Sequence, residues 1–142
     1  MISDRITTID DCCLKSLSTI GSDRKGNITP IYNSVSIPFD IQRVYYLYDI
    51  PSGSKRGGHA HKNLQQLIIA ATGSFDVIIN DGEKQKTFNL NRPNKGLYIP
   101  KMLWRELVNF SGGSICLVLA SMVYDEYDYY RDRKEFETDK FK

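Results

Sequence analysis

Short runs of β-branched and aromatic residues, each closed by a turn rich in Gly, Pro, Ser or Asp, recur along almost the whole chain and constrain its fold more than any other feature. Residues 42–50 (QRVYYLYDI) are the densest run, and Pro51-Ser52-Gly53-Ser54 ends it. Residues 59–70 start polar and finish in the apolar Leu67-Ile68-Ile69-Ala70. Thr72-Gly73-Ser74 then turns the chain into residues 75–80, and Asp81-Gly82 marks a hairpin. Further strands are expected over 28–35, closed by Pro38, and over 86–90, 96–99, 106–110 and 115–121. Many short strands without a sustained helical period specify an all-β sandwich or barrel. Residues 124–136 (YDEYDYYRDRKEF) differ, being polar, aromatic-rich and compatible with a helix. With no repeat, low-complexity tract or linker, the expectation is a single domain over 1–142. Its barrel would occupy about 28–122, followed by a polar, aromatic segment over 124–142.

Composition narrows the function classes. The chain has 142 residues, 41% of them hydrophobic, enough for one sizeable core. Its 19 basic and 17 acidic side chains leave a formal charge of only +2, which argues against a nucleic-acid or membrane partner but permits a local basic cluster. No apolar run approaches the roughly 20 residues needed to span a bilayer. Residues 1–11 carry Asp4, Asp10 and Asp11 and lack the apolar centre of a secretory signal. Cys12, Cys13 and Cys116 show no zinc spacing and read as reduced, buried thiols of a cytoplasmic protein.

His59 and His61 are the only histidines, and on a strand residues two apart face the same side. The surrounding pattern, Gly53-x5-His59-x-His61-x4-Gln66-x6-Gly73, resembles the first motif of the cupins, in which two His and a carboxylate bind a metal. The resemblance implies a cupin double-stranded β-helix, or jelly-roll barrel. Here Gln66 stands where the carboxylate belongs. In the stretch matching the second motif, from Gly96 through Pro100 and Trp104, Arg105 stands where the third histidine belongs. A guanidinium does not deprotonate in proteins and cannot be a ligand. Two imidazoles, a neutral amide and a cation are a poor set for a divalent ion, so no metal and no other cofactor is expected. An imidazole free of metal is suited to moving protons at neutral pH.

Alternation along 42–50 puts Arg43, Tyr45 and Leu47 on one face and Val44, Tyr46 and Tyr48 on the other. The Arg43/Tyr45 face is expected to line the cavity, the alternative being Tyr45 as core and Arg43 as rim. Arg56 and the pair Arg24-Lys25 are candidates for a phosphate. Trp104 beside Arg105 is placed either to stack on a planar ring or to fill core.

Four stretches carry a closer resemblance: RVYYLYDIP from Arg43; KRGGHAHK from Lys55, followed by Gln66; LYIP from Leu97, followed by Trp104; and LASMVYDEYDYYRD from Leu119. Over about residues 28–136 the chain resembles the WxcM-like sugar nucleotide 3,4-ketoisomerases, with RGxHAHK and the closing DYxRD as the specific elements. The resemblance implies a metal-independent isomerase that moves the carbonyl of a dTDP-linked 4-keto-6-deoxyhexose from C4 to C3. It makes His59 the catalytic base, with His61 and Tyr45 as catalytic companions. Arg43, Arg56, Arg24, Lys25, Gln66, Trp104 and Arg105 become the substrate-binding candidates. It further implies a homodimer that exchanges N-terminal strands, and a product destined for a 3-amino deoxysugar of a surface polysaccharide. The family's N-terminal Arg-Gly step is represented only by Arg24-Lys25-Gly26. The competing readings are a 3,5-epimerase of the same substrates, against which the His pair argues, and a cupin that binds a sugar nucleotide without turning it over.

Overall fold

The structure, a computed structural model, describes residues 5–142; residues 1–4 of the stretch read as lacking a signal peptide lie outside the described residues. The strands are β1 (Cys13–Ser16), β2 (Ile20–Ser22), β3 (Gly26–Ile28), β4 (Arg43–Leu47), β5 (Arg56–His61) and β6 (Gln66–Thr72) in the first half. They continue as β7 (Phe75–Asn80), β8 (Gln85–Leu90), β9 (Lys95–Ile99), β10 (Trp104–Val108), β11 (Ile115–Ala120) and β12 (Tyr129–Tyr130), before a helix, α1 (Arg133–Lys140). Two five-stranded sheets, β1-β9-β6-β11-β4 and β12-β5-β10-β7-β8, face each other, and β2-β3 forms a separate hairpin. Every pairing is antiparallel, giving the jelly-roll of a cupin-type fold.

The side chains explain the layering. Ile68 and Ala70 of β6, Val77 and Ile79 of β7, and Leu97 and Ile99 of β9 meet between the sheets. β6 is buried on both faces, because Leu67 and Ile69 pack outward under Ile37 and Phe39. That cover corrects the expected strand over 28–35: the segment after β3 is a series of turns that lays its apolar residues across the first sheet instead of pairing. The other sheet has its own cover. Phe136 of α1, fully buried, packs with Tyr130 against Ala60 of β5 and Trp104 of β10. Asp132 caps the helix by accepting from the Lys134 and Glu135 amides.

Other boundaries also move. The expected run 59–70 is two strands, since residues 62–65 bend between β5 and β6. The strand expected at 106–110 begins at Trp104. β1 and β12 extend the sheets beyond 28–122 at both ends. The aromatic segment is a 3-10 turn (Glu126–Asp128), β12 and α1 rather than one helix. Cys12 and Cys116 are buried thiols whose pKa burial pushes up to about 12, whereas Cys13 is exposed, contrary to the expectation for all three. Among the described residues no helix is long and apolar enough to cross a membrane.

Candidate active site

A break in β5 aims the histidines. Arg105 pairs with His59 but Glu106 with Gly57, so Gly58 is an extra residue opposite a continuous β10. Gly57 and Gly58 both adopt positive φ, 85° and 70°, which glycine reaches without strain. Beyond this bulge Ala60 turns outward to the helix layer, while His59 and His61 lie together, ring centroids 4.8 Å apart and edge to face. The shared orientation expected from their spacing is present.

His59 lines a cavity of about 480 Å³ between the sheets. Arg43, Tyr45 and Leu47 of β4 face the same space, as the strand alternation predicts, and Val44, Tyr46 and Tyr48 are exposed on the other side. Gln66, Arg105 and Arg56 line it too. Among the described residues the wall includes five cations, Arg43, Lys55, Arg56, Arg105 and Arg131, and no carboxylate. The Nε and Nη2 of Arg43 and the Nε of Arg105 are buried with no acceptor among the described residues. Donors left so are costly, and an anionic ligand with several oxygens would satisfy them. The chain's small net charge therefore conceals a strongly electropositive cavity.

Arg105 organises the floor. It is 1% exposed and donates from Nη1 to Gln66 Oε1 at 2.6 Å and from Nη2 to the Leu103 carbonyl at 2.9 Å. Gln66 Nε2 in turn donates to the Tyr45 hydroxyl at 3.1 Å. This arrangement does not fit a metal ion. A guanidinium occupies the third-ligand position, its partner is an amide, and no cluster of three or more His, Cys, Asp or Glu is present among the described residues.

Burial, followed by the nearby Arg105 guanidinium, lowers the His59 pKa to about 3, with a backbone hydrogen bond at Gly57 opposing. His61 is lowered further by the same two causes in the same order. Both imidazoles are therefore neutral at physiological pH. Burial, then the Tyr129 phenol, raises the pKa of Tyr45, which keeps its proton.

His61 does not reach the cavity wall: it is fully buried behind His59, with Nδ1 3.1 Å from Asp128 Oδ2. Asp128 also accepts the Asn63 amide at 2.8 Å and the Leu64 amide at 3.2 Å. A carboxylate can only accept, so Nδ1 of His61 carries the proton and Nε2 is the bare nitrogen. Tyr129 packs on both imidazoles, 5.0 Å from His59 and 4.4 Å from His61. Arg131 stacks 4.3 Å over Tyr129, pairs with Glu126, and lines the cavity with Tyr124.

Asp128, Tyr129 and Arg131 were not among the residues singled out from sequence, although all three belong to the DYxRD element. The signal was present, but nothing in sequence spacing links Asp128 to His61 across the pairing of β12 with β5. The structure places three candidates away from the cavity, and of the two readings of Trp104 the core-filling one holds. Trp104 points to the opposite side of β10 from Arg105 and fills core with Phe136, 5.8 Å between centroids, while Arg133 stacks on it. Arg24 and Lys25 sit exposed in the turn of the β2–β3 hairpin and do not line the cavity of this chain.

Comparison with known proteins adds an independent line. Residues 10–140 match the family described as FdtA: WxcM-like, C-terminal. The TDP-4-oxo-6-deoxy-alpha-D-glucose-3,4-oxoisomerase of Aneurinibacillus thermoaerophilus is 40% identical over 114 residues, covering 80% of this chain and 82% of that protein. A 3,4-ketoisomerase from Helicobacter canadensis superposes with a TM-score of 0.89 at 42% identity, over 93% of this chain and 98% of its own. A mutant of the 3,4-ketoisomerase QdtA from Thermoanaerobacterium thermosaccharolyticum, in complex with TDP-4-keto-6-deoxyglucose, superposes at 0.87 with 37% identity, over 90% and 92%.

Proposed function

The chain belongs to the WxcM-like FdtA family, and from that premise we propose that it is a sugar nucleotide 3,4-ketoisomerase acting on a TDP-linked 4-keto-6-deoxyhexose. The observation that carries the reading is an imidazole, His59, and a phenol, Tyr45, lining one cavity walled by cations; burial favours the neutral form of both. Isomerisation must move two protons, one between carbons and one between oxygens, and these two groups divide the work.

His59 removes the proton from C3, and the electron pair forms the C3–C4 double bond as charge passes to the C4 oxygen. Tyr45 gives its hydroxyl proton to that oxygen, leaving an enediol and a phenolate. The imidazolium of His59 then protonates C4, while the C3 hydroxyl returns its proton to Tyr45 as the C3 ketone forms. Both side chains end as they began. The imidazolium is offset by the negative charge created beside it, in a site where burial makes each charge felt strongly. Because His61 is sealed behind His59 and tied to Asp128, Tyr45 is the better oxygen-side relay. Arg43, Lys55, Arg56 and Arg131 hold the diphosphate.

We assign Gln66 and Arg105 to the reaction chamber and not to a metal centre. The same reading makes the protein a homodimer. The β2–β3 hairpin presents Ile20 and Ile28 to solvent, 62% and 66% exposed, and carries Arg24 and Lys25 in its turn, so a partner's site is where these side chains would be used. A 3-ketone of this kind suits an aminotransferase, in keeping with 3-amino deoxysugar synthesis.

The test is to incubate the purified protein with TDP-4-keto-6-deoxyglucose and EDTA in D2O and follow the sugar by NMR. A 3-keto product supports the proposal and reports its C4 configuration. An unchanged skeleton with solvent deuterium at C3 or C5 would indicate epimerase chemistry instead, and binding without any change a non-catalytic module.

A further inference from the structure

Gln66 stands at the position where a metal-binding barrel of this kind places a carboxylate, and its two ends are fixed by groups of opposite character. The residue is 1% exposed on β6. Arg105 has no acceptor, so the Gln66 atom 2.6 Å from its Nη1 has to be the oxygen. The other end is then the NH2, 3.1 Å from the Tyr45 hydroxyl. An amide NH2 cannot accept, so the Tyr45 oxygen is the acceptor in that bond. Its proton must point elsewhere, and no hydrogen bond from it to a described residue is present. Tyr45 lines the same cavity as His59, which leaves the ligand as the recipient.

We infer that Gln66 is a positioning residue that sets the polarity of the chain Arg105 to Gln66 to Tyr45, so that the proton of the Tyr45 hydroxyl is turned away from Gln66 and into the cavity. The inference rests on the ketoisomerase reading for its consequence in turnover, but not for its geometry. The same polarity serves the second half of the relay. Once Tyr45 has given its proton to the sugar oxygen, the Gln66 NH2, backed by Arg105, already points at the phenolate it must stabilise. A glutamate here would pair well with Arg105 yet reverse the chain, because its second oxygen would accept the Tyr45 proton and withdraw it from the substrate. The amide is thus required by the direction of its hydrogen bonds, beyond its inability to bind a metal.

The experiment compares Gln66→Glu, Tyr45→Phe and the double variant, with kcat measured on TDP-4-keto-6-deoxyglucose and TDP affinity by calorimetry. Gln66→Glu is expected to lower kcat by about 100-fold, the scale of losing one preorganised donor at a developing oxyanion. TDP affinity should stay within about threefold, and the double variant should be no slower than Tyr45→Phe alone. Losses that multiply, or a Gln66→Glu enzyme within about threefold of wild type, would overturn the inference. A second readout needs no turnover: the Tyr45 phenol, labelled with 13C at Cζ and assigned through Tyr45→Phe, is titrated in wild type and in Gln66→Met. Methionine fills the space without donor or charge, so the Tyr45 pKa should rise; an unchanged pKa would contradict the role of Gln66. Should wild type fail to isomerise the sugar while this titration behaves as stated, the ketoisomerase reading falls and the hydrogen-bond polarity stands.

Discussion

Asp128 shows how one buried acceptor decides what an imidazole can do. Its carboxylate accepts from His61 Nδ1 and from the amides of Asn63 and Leu64. In Asp128→Asn one of those acceptor positions becomes an NH2 that faces a donor. The NH2 costs least opposite the longer Leu64 contact, on the position that also meets His61, and there it requires His61 to carry its proton on Nε2 instead of Nδ1. A fall in kcat of roughly 100-fold or more, with TDP affinity nearly kept, is expected by analogy with the loss of a tautomer-fixing carboxylate elsewhere. A 15N spectrum of His61 checks the cause: wild type should show a protonated Nδ1 and the variant a protonated Nε2. At the same scale, His59 has a pKa of about 3 in the folded protein against 6.5 when unperturbed, because burial and Arg105 penalise its charged form. Its contribution to stability is therefore complete above pH 6.5 and is lost as pH falls from there toward 3. The acid limb of kcat/KM for His59 should likewise lie well below the ordinary imidazole range. A pH–rate profile flat between about 8 and 5 would agree, and a half-loss near 6.5 would not.

Among the elements, α1 and β5 have the largest bearing on the site. The helix covers the outer face of β5 and β10 through Phe136, and Tyr130 just before it donates to Asp139 at 2.9 Å. Phe136→Ala should cost about 3–5 kcal/mol, the range for emptying an aromatic site in a core, read as a drop in the urea midpoint. Because Ala60 and Trp104 lie under Phe136, while His59 and Arg105 alternate with them on the cavity side, activity should fall along with stability. Sequence periodicity was informative at this scale wherever one residue in two is buried. The run 75–80 coincides with β7, and the inward face of β4 was legible from Arg43, Tyr45 and Leu47. It was misleading where a segment covers a sheet without joining it. Ile31, Ile37 and Phe39 are apolar because they lie on β6 and its neighbours, not because they belong to a strand. β1 was missed because CLKS carries no alternation that its pairing with β9 requires. The bulge in β5 was signalled only by its two glycines.

For the whole molecule, the functional quantity is where the charge lies. A net charge of +2 coexists with five cations around one cavity, so TDP binding should weaken steeply with salt while the fold is little affected. A calorimetric Kd insensitive to ionic strength would contradict this electrostatic account. Most of the cavity wall could be named from sequence, since Arg43, Tyr45 and Gln66 on one sheet meet Arg56, His59 and Arg105 on the facing one. Asp128, Tyr129 and Arg131 were marked only as part of the DYxRD element, and their place against β5 was not readable, because the two-residue β12 brings that element back from the far end of the chain. The most direct test of the central claim, that His59 carries the proton from C3 to C4 without a metal, is conversion of TDP-4-keto-6-deoxyglucose deuterated at C3, in EDTA, by wild type and His59→Asn. Wild type should form the 3-ketone with part of the deuterium retained at C4, and His59→Asn should bind TDP normally yet be slower by at least about 1,000-fold. A His59→Asn enzyme within about tenfold of wild type would place the base on another residue and contradict the account.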